Sequence, residues 1–302
     1  MAQGGKKTSQ SLCVFPWCSA MALGSAMPLS LTHLLSTGAT ASVFLAGYND
    51  KMAVKVCKTT AMTRKLFRRE VQILLATQHA HIVSLLSFDE GPKELRIAME
   101  FCRGGDLFNL LHMSDIELVP LQRTQIVRGV ASACEYLHSH KPKILHRDLK
   151  SLNILLLAPV VRARDVPHVK VADFGASRME VEEKDLGTKT ANVGTCCWMA
   201  PEAYTTRYNS RVDVYSFAIV MFEVFSQVLP FDGVAFSDIP QMVAKGERPD
   251  LTAVYPKLRA EIQLMVRCWA PQPCDRPTFK QIQSKIAQMT LKSEGFCRCI
   301  SL

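Results

Sequence analysis

The chain has 302 residues, 48% hydrophobic and 21% charged, an ordinary globular composition with length for one substantial core and not for a second full domain beside it. Lys and Arg outnumber Asp and Glu by 36 to 27, a net charge of +9, yet the basic residues are scattered with no run of five or more, which argues against nucleic acid as a partner. The 11 cysteines lack paired metal-ligand spacing, so free thiols in a reducing, cytoplasmic setting are expected rather than a zinc site or a disulfide frame.

Residues 1–30 bear a loose likeness to a secretory signal: Lys6 and Lys7 precede Leu12-Cys13-Val14-Phe15, and Ala20 to Ala26 is small and apolar. Pro16 and Trp17 interrupt the run, and it is too short and broken to span a bilayer, so a flexible or loosely docked extension is expected. Residues 34–57 read as strand, turn, strand, turn, strand, with Val43-Phe44-Leu45 in the second strand, Asn49-Asp50 in a turn and Met52 to Val56 in the third. Alternate strand residues share a face, so Ala53 and Lys55 point the same way. A helix follows from about Ala61 to Gln78, where Leu66, Glu70 and Leu74 fall at i, i+4 and i+8. Glu70 is then an acid inside an apolar stripe, and a buried carboxylate is costly unless paired. An exposed Glu70 would instead pair with Arg64 or Arg69.

Ile97 to Cys102 reads as a strand entering a connector, Gly104-Gly105 as a turn, and Asp106 as a cap for the next helix. Further on, His146-Arg147-Asp148-Leu149-Lys150-Ser151-Leu152-Asn153 and Asp173-Phe174-Gly175 concentrate two carboxylates, an amide and an ammonium. The apolar runs Ile154 to Leu157 and Val169 to Ala172 put both clusters at strand ends, where loops carry chemistry on a rigid support. Such groups are needed where a metal-bound triphosphate meets a hydroxyl. Residues 158–167 lengthen the loop between these strands, hold two prolines and three charges, and are expected to protrude.

Ala53-Val54-Lys55, Glu70, these two clusters, Ala200-Pro201-Glu202, Asp213-Val214-Tyr215-Ser216-Phe217, Cys268-Trp269 and Arg276-Pro277 occur in one order, and in that order the chain resembles the eukaryotic protein kinases across residues 31–291. Leu149 to Asn153, Gly194 to Glu202 and Cys268-Trp269 are similar to the tyrosine-kinase-like group of Ser/Thr kinases, which includes Raf-like and mixed-lineage-like enzymes. The resemblance implies an α+β, bilobal fold. A small β-rich lobe with one main helix would occupy about 31–99 and a larger, mostly helical lobe about 103–291, with 292–302 as a tail. It implies ATP and Mg²⁺ as cofactors and proteins with Ser or Thr acceptors as partners, dual specificity remaining open; it leaves the oligomeric state open.

Residue roles follow from the same resemblance. Asp148 would orient the acceptor hydroxyl, Lys150 would neutralise charge on the transferred group, and Asn153 and Asp173 would hold Mg²⁺. The Lys55–Glu70 pair would form only with the helix swung inward, which makes it a switch. The nucleotide set would be Ser36, Gly38, Ala41, Val43, Ala53 against the flat ring, Lys55, Met99 narrowing the pocket, Glu100 and Cys102 through their backbone, Asp106 if it reached the ribose instead of capping, and Leu155. His146 and Phe174 would pack. Thr195 would bond Asp148 and Lys150. The activation segment between Gly175 and Gly194 would hold Ser177 near the metal and phosphorylation sites at Thr188 or Thr190, with Arg147 as a phosphate partner. Glu202 and Arg276 would pair, Asp213 would accept catalytic-loop amides, and Ala218 and Phe222 would be packing changes.

Two features depart from the pattern or add to it. Of the family's G-x-G-x-x-G-x-V loop, Ser36 to Val43 keeps only Gly38, which predicts weaker nucleotide affinity and makes a non-catalytic binding module the rival reading. Cys299-Ile300-Ser301-Leu302 loosely fits a prenylation signal, with Cys297, Lys292 and Arg298 nearby; membrane association is expected only if Cys299 is lipidated.

Overall fold

In a computed structural model of the chain, the described residues are 31–38, 41–47, 51–180, 195–204, 209–254 and 258–300, with side chains through residue 289. Apolar alternation in the first described stretch builds five antiparallel strands: β1 (Leu31–Thr37), β2 (Ala41–Ala46), β3 (Met52–Lys58), β4 (Leu85–Glu90) and β5 (Glu94–Glu100). They lie in the order β1-β2-β3-β5-β4, so β3 is central and β1 and β4 are edges. The register sets Ala53 between Leu45 and Met99, and Lys55 between Val43 and Ile97. The expected turn at Asn49-Asp50 lies outside the described residues.

Helix α1 (Ala61–Ala76) packs on this sheet. Thr60 starts it by accepting the Thr63 amide at 3.1 Å, and the Thr63 hydroxyl accepts the Thr60 amide at 2.8 Å, so two of the helix's unpaired donors are satisfied. Its buried side chains are Phe67, Glu70, Val71, Ile73 and Leu74. The buried face thus includes Glu70 and Leu74 of the predicted line, with Phe67, Val71 and Ile73 beside them, while Leu66 is only half-buried.

The second lobe comprises α2 (Leu107–His112), α3 (Pro120–Ser139), α4 (Arg211–Ser226), α5 (Ile239–Ala244), α6 (Arg259–Cys268) and α7 (Phe279–Ile300). Two short strand pairs join it: β6 (Ile144–Leu145) with β9 (Arg178–Met179), and β7 (Ile154–Leu156) with β8 (Val169–Val171). Every residue of α4 from Val212 to Phe225 is buried, Ala218 and Phe222 included, the pattern of a helix that is a lobe's core. α7 continues past residue 291, where the boundary between domain and tail was expected; the side chains of Cys297 and Cys299 lie outside those described.

Residues 161–164 and 166 protrude as predicted, between the buried Val160 and Pro167. The loop is held from within and below. The Asp165 carboxylate accepts the Val161 and Arg162 amides at 2.9 and 2.8 Å, and the Gln122 side-chain amide donates to the carbonyls of Arg162 and Asp165 at 2.8 and 2.9 Å.

A histidine joint ties the lobes between α1 and β4. The Val171 amide donates to His81 O at 2.8 Å and the Val83 amide to Val171 O at 3.0 Å. The His81 ring bonds Val169 O at 2.9 Å and stacks on His168 at 4.8 Å, while His79 stacks on Tyr136 at 4.9 Å and accepts the His81 amide at 3.1 Å. Gly129 is required here: a Cβ would meet Val169 Cγ2 at 2.6 Å and His81 Nδ1 at 3.0 Å. Burial lowers the His79 and His81 pKa values below 6.5, with Lys170 and neighbouring histidines acting in the same direction and Glu135 and the Val169 carbonyl opposing. Because the folded values lie below the unfolded ones, the unfolded chain binds more protons under pH 6.5 and stability falls as pH drops through that value. Thermal unfolding followed across this range is expected to show a falling midpoint in acid and a flatter profile for His81→Asn; an unchanged profile would place the acid sensitivity elsewhere.

Candidate active site

Three elements bring one ammonium and two carboxylates together. Lys55 on β3 bonds both oxygens of Glu70 on α1, at 2.8 and 2.9 Å, and Asp173 Oδ1 from the second lobe at 2.9 Å. Glu70 is buried on the stripe, so the partner is Lys55; Arg64 is taken by Glu90 instead. Burial by itself would lower the Lys55 pKa, but the two carboxylates outweigh it and raise it. Burial pushes Glu70 up and Lys55 pulls it back, whereas Lys55 holds Asp173 down at about 2. Lys55 and Asp173 thus form an ion pair at neutral pH, and Glu70 faces the same ammonium through both of its oxygens. Asp173 occupies left-handed backbone with φ 61°, and its carboxylate accepts the Gly175 amide at 3.4 Å.

The second cluster stands at the adjoining strand end. The Asn153 side-chain amide donates to Asp148 O at 2.8 Å and Asp148 Oδ2 at 3.1 Å, while Lys150 Nζ lies 3.0 Å from the same Oδ2 and donates to the Thr195 hydroxyl at 3.2 Å. The Ala172 amide donates to Asn153 O at 2.9 Å, which sets Asn153 beside the start of Asp173. Lys55, Asp148, Asn153 and Asp173 therefore converge. With the Asn153 nitrogen engaged by Asp148, its amide oxygen and the Asp173 carboxylate are a pair of hard oxygen donors at neighbouring strand ends, a donor set that fits Mg²⁺.

Asp213 on α4 holds the catalytic loop from below. One oxygen accepts the Arg147 amide at 2.7 Å, and the other accepts the His146 amide at 2.9 Å and meets the His138 ring at 2.8 Å. That grip accompanies positive φ at Arg147, 68°. His146 and Phe174 pack edge to face and are buried, and the His146 ring nitrogens are engaged by Ala172 O at 3.0 Å and the Asp148 amide at 3.3 Å. Arg147 donates to Ala176 O at 3.2 Å. Thr188 and Thr190 lie outside the described residues; Ser177 is buried and donates to His146 O at 3.0 Å. Glu202 and the buried Arg276 form the expected ion pair, with Nη2 to Oε2 at 2.9 Å.

Of the residues expected on the nucleotide side, Val43, Ala53, Met99 and Leu155 are half-buried, Ala53 facing Met99 across the sheet. Ser36 pairs with Val43, and the Gly38 amide donates to Ala41 O at 2.8 Å, closing the β1–β2 turn. The Glu100 and Phe101 amides are taken by Ser84 O and Lys51 O, while the Cys102 thiol is buried and pushed to about 12, so this residue offers backbone rather than sulfur. Asp106 is a helix cap: its oxygens accept the Asn109 amide at 2.8 Å and side chain at 2.7 Å.

Two anchors were not read from the sequence. Lys170 reaches Glu100 Oε1 at 2.6 Å, pinning the connector to the second lobe. Glu223 on α4 is fully buried and gathers three partners: Oε1 takes the Ser151 hydroxyl at 2.6 Å and meets the His112 ring at 3.0 Å, and Oε2 takes the Trp198 indole N–H at 2.6 Å. It thereby fixes the turn carrying Lys150 and Asn153 against the turn carrying Thr195.

A five-stranded lobe and a helical lobe, joined across this Lys-Glu-Asp triad, define the bilobal kinase fold. The chain belongs to the protein tyrosine and serine/threonine kinase family, which it matches over residues 29–286. It is 34% identical over 261 residues to the RGS domain-containing serine/threonine-protein kinase A of Dictyostelium discoideum, aligning 84% of this chain with 22% of that protein. It is 34% identical over 260 residues to mitogen-activated protein kinase kinase kinase 7 of Drosophila melanogaster (84% and 36%) and 29% identical over 269 residues to the dual specificity protein kinase pyk3 of D. discoideum (87% and 19%). The chain thus spans only 19% to 36% of the length of these relatives.

The Glu223 junction generates a test. In Glu223→Gln an amide N–H2 must face one of the donors, and leaving a buried donor unsatisfied costs about 1–3 kcal/mol. Trp198→Phe removes one donor, so chemical denaturation of the double variant is expected to show less loss than the sum of the two single variants. Additive losses would mean that the carboxylate and the indole are not coupled.

Proposed function

We propose that this chain is an ATP- and Mg²⁺-dependent protein kinase that transfers the γ-phosphate to Ser or Thr of protein substrates in cytoplasmic signalling. The observation that carries the reading is the Lys55 ammonium bonded at once to Glu70 and Asp173, with Asp148 and Asn153 tied to the neighbouring strand end. Bound Mg²⁺ would neutralise charge on the phosphates, and Asn153 and Asp173 are the residues to hold it. Lys55 supplies a fixed cation to the phosphates. Asp148, within 3.0 Å of Lys150, receives the acceptor's hydroxyl hydrogen at Oδ and sets the oxygen in line. Lys150, steadied by Thr195, offsets charge on the acceptor side. The Cys102 amide is the connector donor suited to an adenine edge.

Lysine two positions after Asp148 and the serine/threonine naming of the relatives support Ser/Thr acceptors; the pyk3 likeness keeps tyrosine within the test. Phosphorylation of Thr188 or Thr190 as an ordering step, and lipidation at Cys299 as the condition for membrane association, belong to the same proposal. Mass spectrometry of active protein showing neither threonine modified, and an unchanged membrane fraction for Cys299→Ser, would remove them in turn.

Radiolabelled transfer from ATP to a mixed Ser, Thr and Tyr peptide set is expected to label Ser and Thr with wild type and to fall to background with Asp148→Asn. Equal labelling by both proteins would overturn the assignment. The sparse glycine loop yields a further expectation: Ser36→Gly with Ala41→Gly tightens Mg-ATP binding several-fold in a calorimetric titration, because backbone amides then approach phosphate more closely. Unchanged affinity would assign no role to the missing glycines.

A further inference from the structure

We infer that the loop between β7 and β8 is a contact site for an anionic lipid surface, a role that rests on no part of the kinase reading. Within residues 157–167 the exposed positions are 157–159, 161–164 and 166, and each of them is apolar or arginine. Val161 and Val166 are 65% and 71% exposed. Leu121, beside the Gln122 that holds the loop, is 62% exposed. Surface loops are ordinarily built from Gly, Ser, Asn and Asp, whose side chains bond to water or to their own backbone. None of those residue types stands exposed here. Apolar side chains gathered on one surface feature, unlike single scattered ones, mark a place of contact.

The backbone of this loop is closed on itself. The Asp165 carboxylate turns inward onto the Val161 and Arg162 amides at 2.9 and 2.8 Å, and the Asp165 amide donates to Arg162 O at 3.0 Å. The buried Gln122 donates to Arg162 O at 2.8 Å and to Asp165 O at 2.9 Å. Peptide groups without partners are costly where water is scarce, so a turn already satisfied in this way enters an interfacial layer at small cost. The same closure draws in the loop's one acid. Asp165 titrates below the usual carboxylate range, first through those two amides and to a lesser degree through nearby Arg162 and Arg164. Two guanidinium groups against one withdrawn carboxylate leave the tip cationic. The exposed acids Asp115 and Glu117 lie ahead of α3, outside the loop, and Glu117 acts on Arg123.

The chemistry favours a lipid leaflet over a protein. A protein partner is specified by placed hydrogen-bonding groups and by aromatic anchors, and the exposed side chains of the loop supply aliphatic groups and two guanidinium groups alone. The loop also protrudes between the buried Val160 and Pro167, a convex shape suited to a fluid layer rather than to gripping a peptide. Arginine beside short aliphatic side chains matches a leaflet whose negative headgroups lie above its acyl chains. Arg162 and Arg164 remain at headgroup level, and Val161, Val166 and Leu121 reach below it. A contact of this size is reversible, so lasting residence at a membrane still needs a second signal such as the lipid proposed for Cys299.

The test uses the full chain made in bacteria, which attach no prenyl group, and phosphatidylcholine vesicles with and without phosphatidylserine, read by cosedimentation. Binding is expected to the anionic vesicles alone and is expected to fall as salt rises. Arg162→Gln and Arg164→Gln are each expected to weaken it about fivefold, and Val161→Ser with Val166→Ser about tenfold. Lys65→Gln, which removes an exposed cation of α1, is expected to leave it unchanged. All these side chains are exposed, so the variants are expected to melt with wild type. Absence of binding to the anionic vesicles, or binding indifferent to the loop substitutions, overturns the site. Weakening by the arginine changes with none from the valines means adsorption of charge without insertion and overturns it as well. Loop-dependent retention of a cellular protein by a chain that binds no vesicle reassigns the loop to a protein partner and likewise overturns it.

Discussion

One ammonium group joins the two lobes at the candidate site. Lys55 leaves the central strand of the sheet, pairs with a buried acid from α1, and reaches an acid from the second lobe. Its removal from water is costly, and either carboxylate alone would repay less of that cost than both together. The arrangement is therefore conditional on geometry: it exists only while α1 keeps Glu70 against the central strand and the second lobe keeps Asp173 beside it. Gly175 sharpens the condition, because a Cβ there would stand 3.3 Å from Asp173 Oδ1 and 3.6 Å from Lys55 Nζ.

The second lobe solves a different problem. Its catalytic loop has little regular structure, yet it must present Asp148, Lys150 and Asn153 in fixed relation. The solution is a helix that is apolar nearly throughout and carries two buried acids, Asp213 and Glu223, aimed at loops. Asp213 grips the start of the loop through backbone amides, so any side chains there would be held alike. Glu223 grips side chains, Ser151, Trp198 and His112, and so is specific to these residues. The rigidity of the core is passed to the loop through hydrogen bonds to charged acceptors, which are stronger than neutral ones.

The sequence made much of this legible, and the limits have identifiable causes. Glu70 was readable because an acid sat within an amphipathic pattern that also supplied polar neighbours for contrast. Leu66 alone of the predicted line fell short of full burial, since Leu66 and Phe67 are both apolar and only packing against the sheet chooses between them. Glu223 sat in an equally apolar setting, within Val220-Met221-Phe222-Glu223-Val224-Phe225, and carried the same signal. It went unread because α4 is buried on all sides, so periodicity names no face, and because its partners His112 and Ser151 are 111 and 72 residues away. Asp106 shows the reverse: its cap is a local interaction three residues long, and local chemistry was the better guide to it.

The sparse glycine loop can be weighed by the same separation of fold from ligand. At Gly38 a Cβ would meet only Ala41 O at 3.5 Å, an ordinary contact, so the fold itself asks for no glycine there. The β1–β2 turn is closed by a backbone hydrogen bond that any residue can make. β1, which carries Ser36, is an edge strand exposed along nearly its whole length, and Ala41 opens β2 half-buried. At Gly129 a Cβ would meet Val169 Cγ2 at 2.6 Å, and at Gly175 it would meet Asp173 Oδ1 at 3.3 Å, close contacts that Gly38 lacks. The sparse glycine loop is therefore compatible with the Lys55–Glu70–Asp173 cluster, whose hydrogen bonds do not involve it.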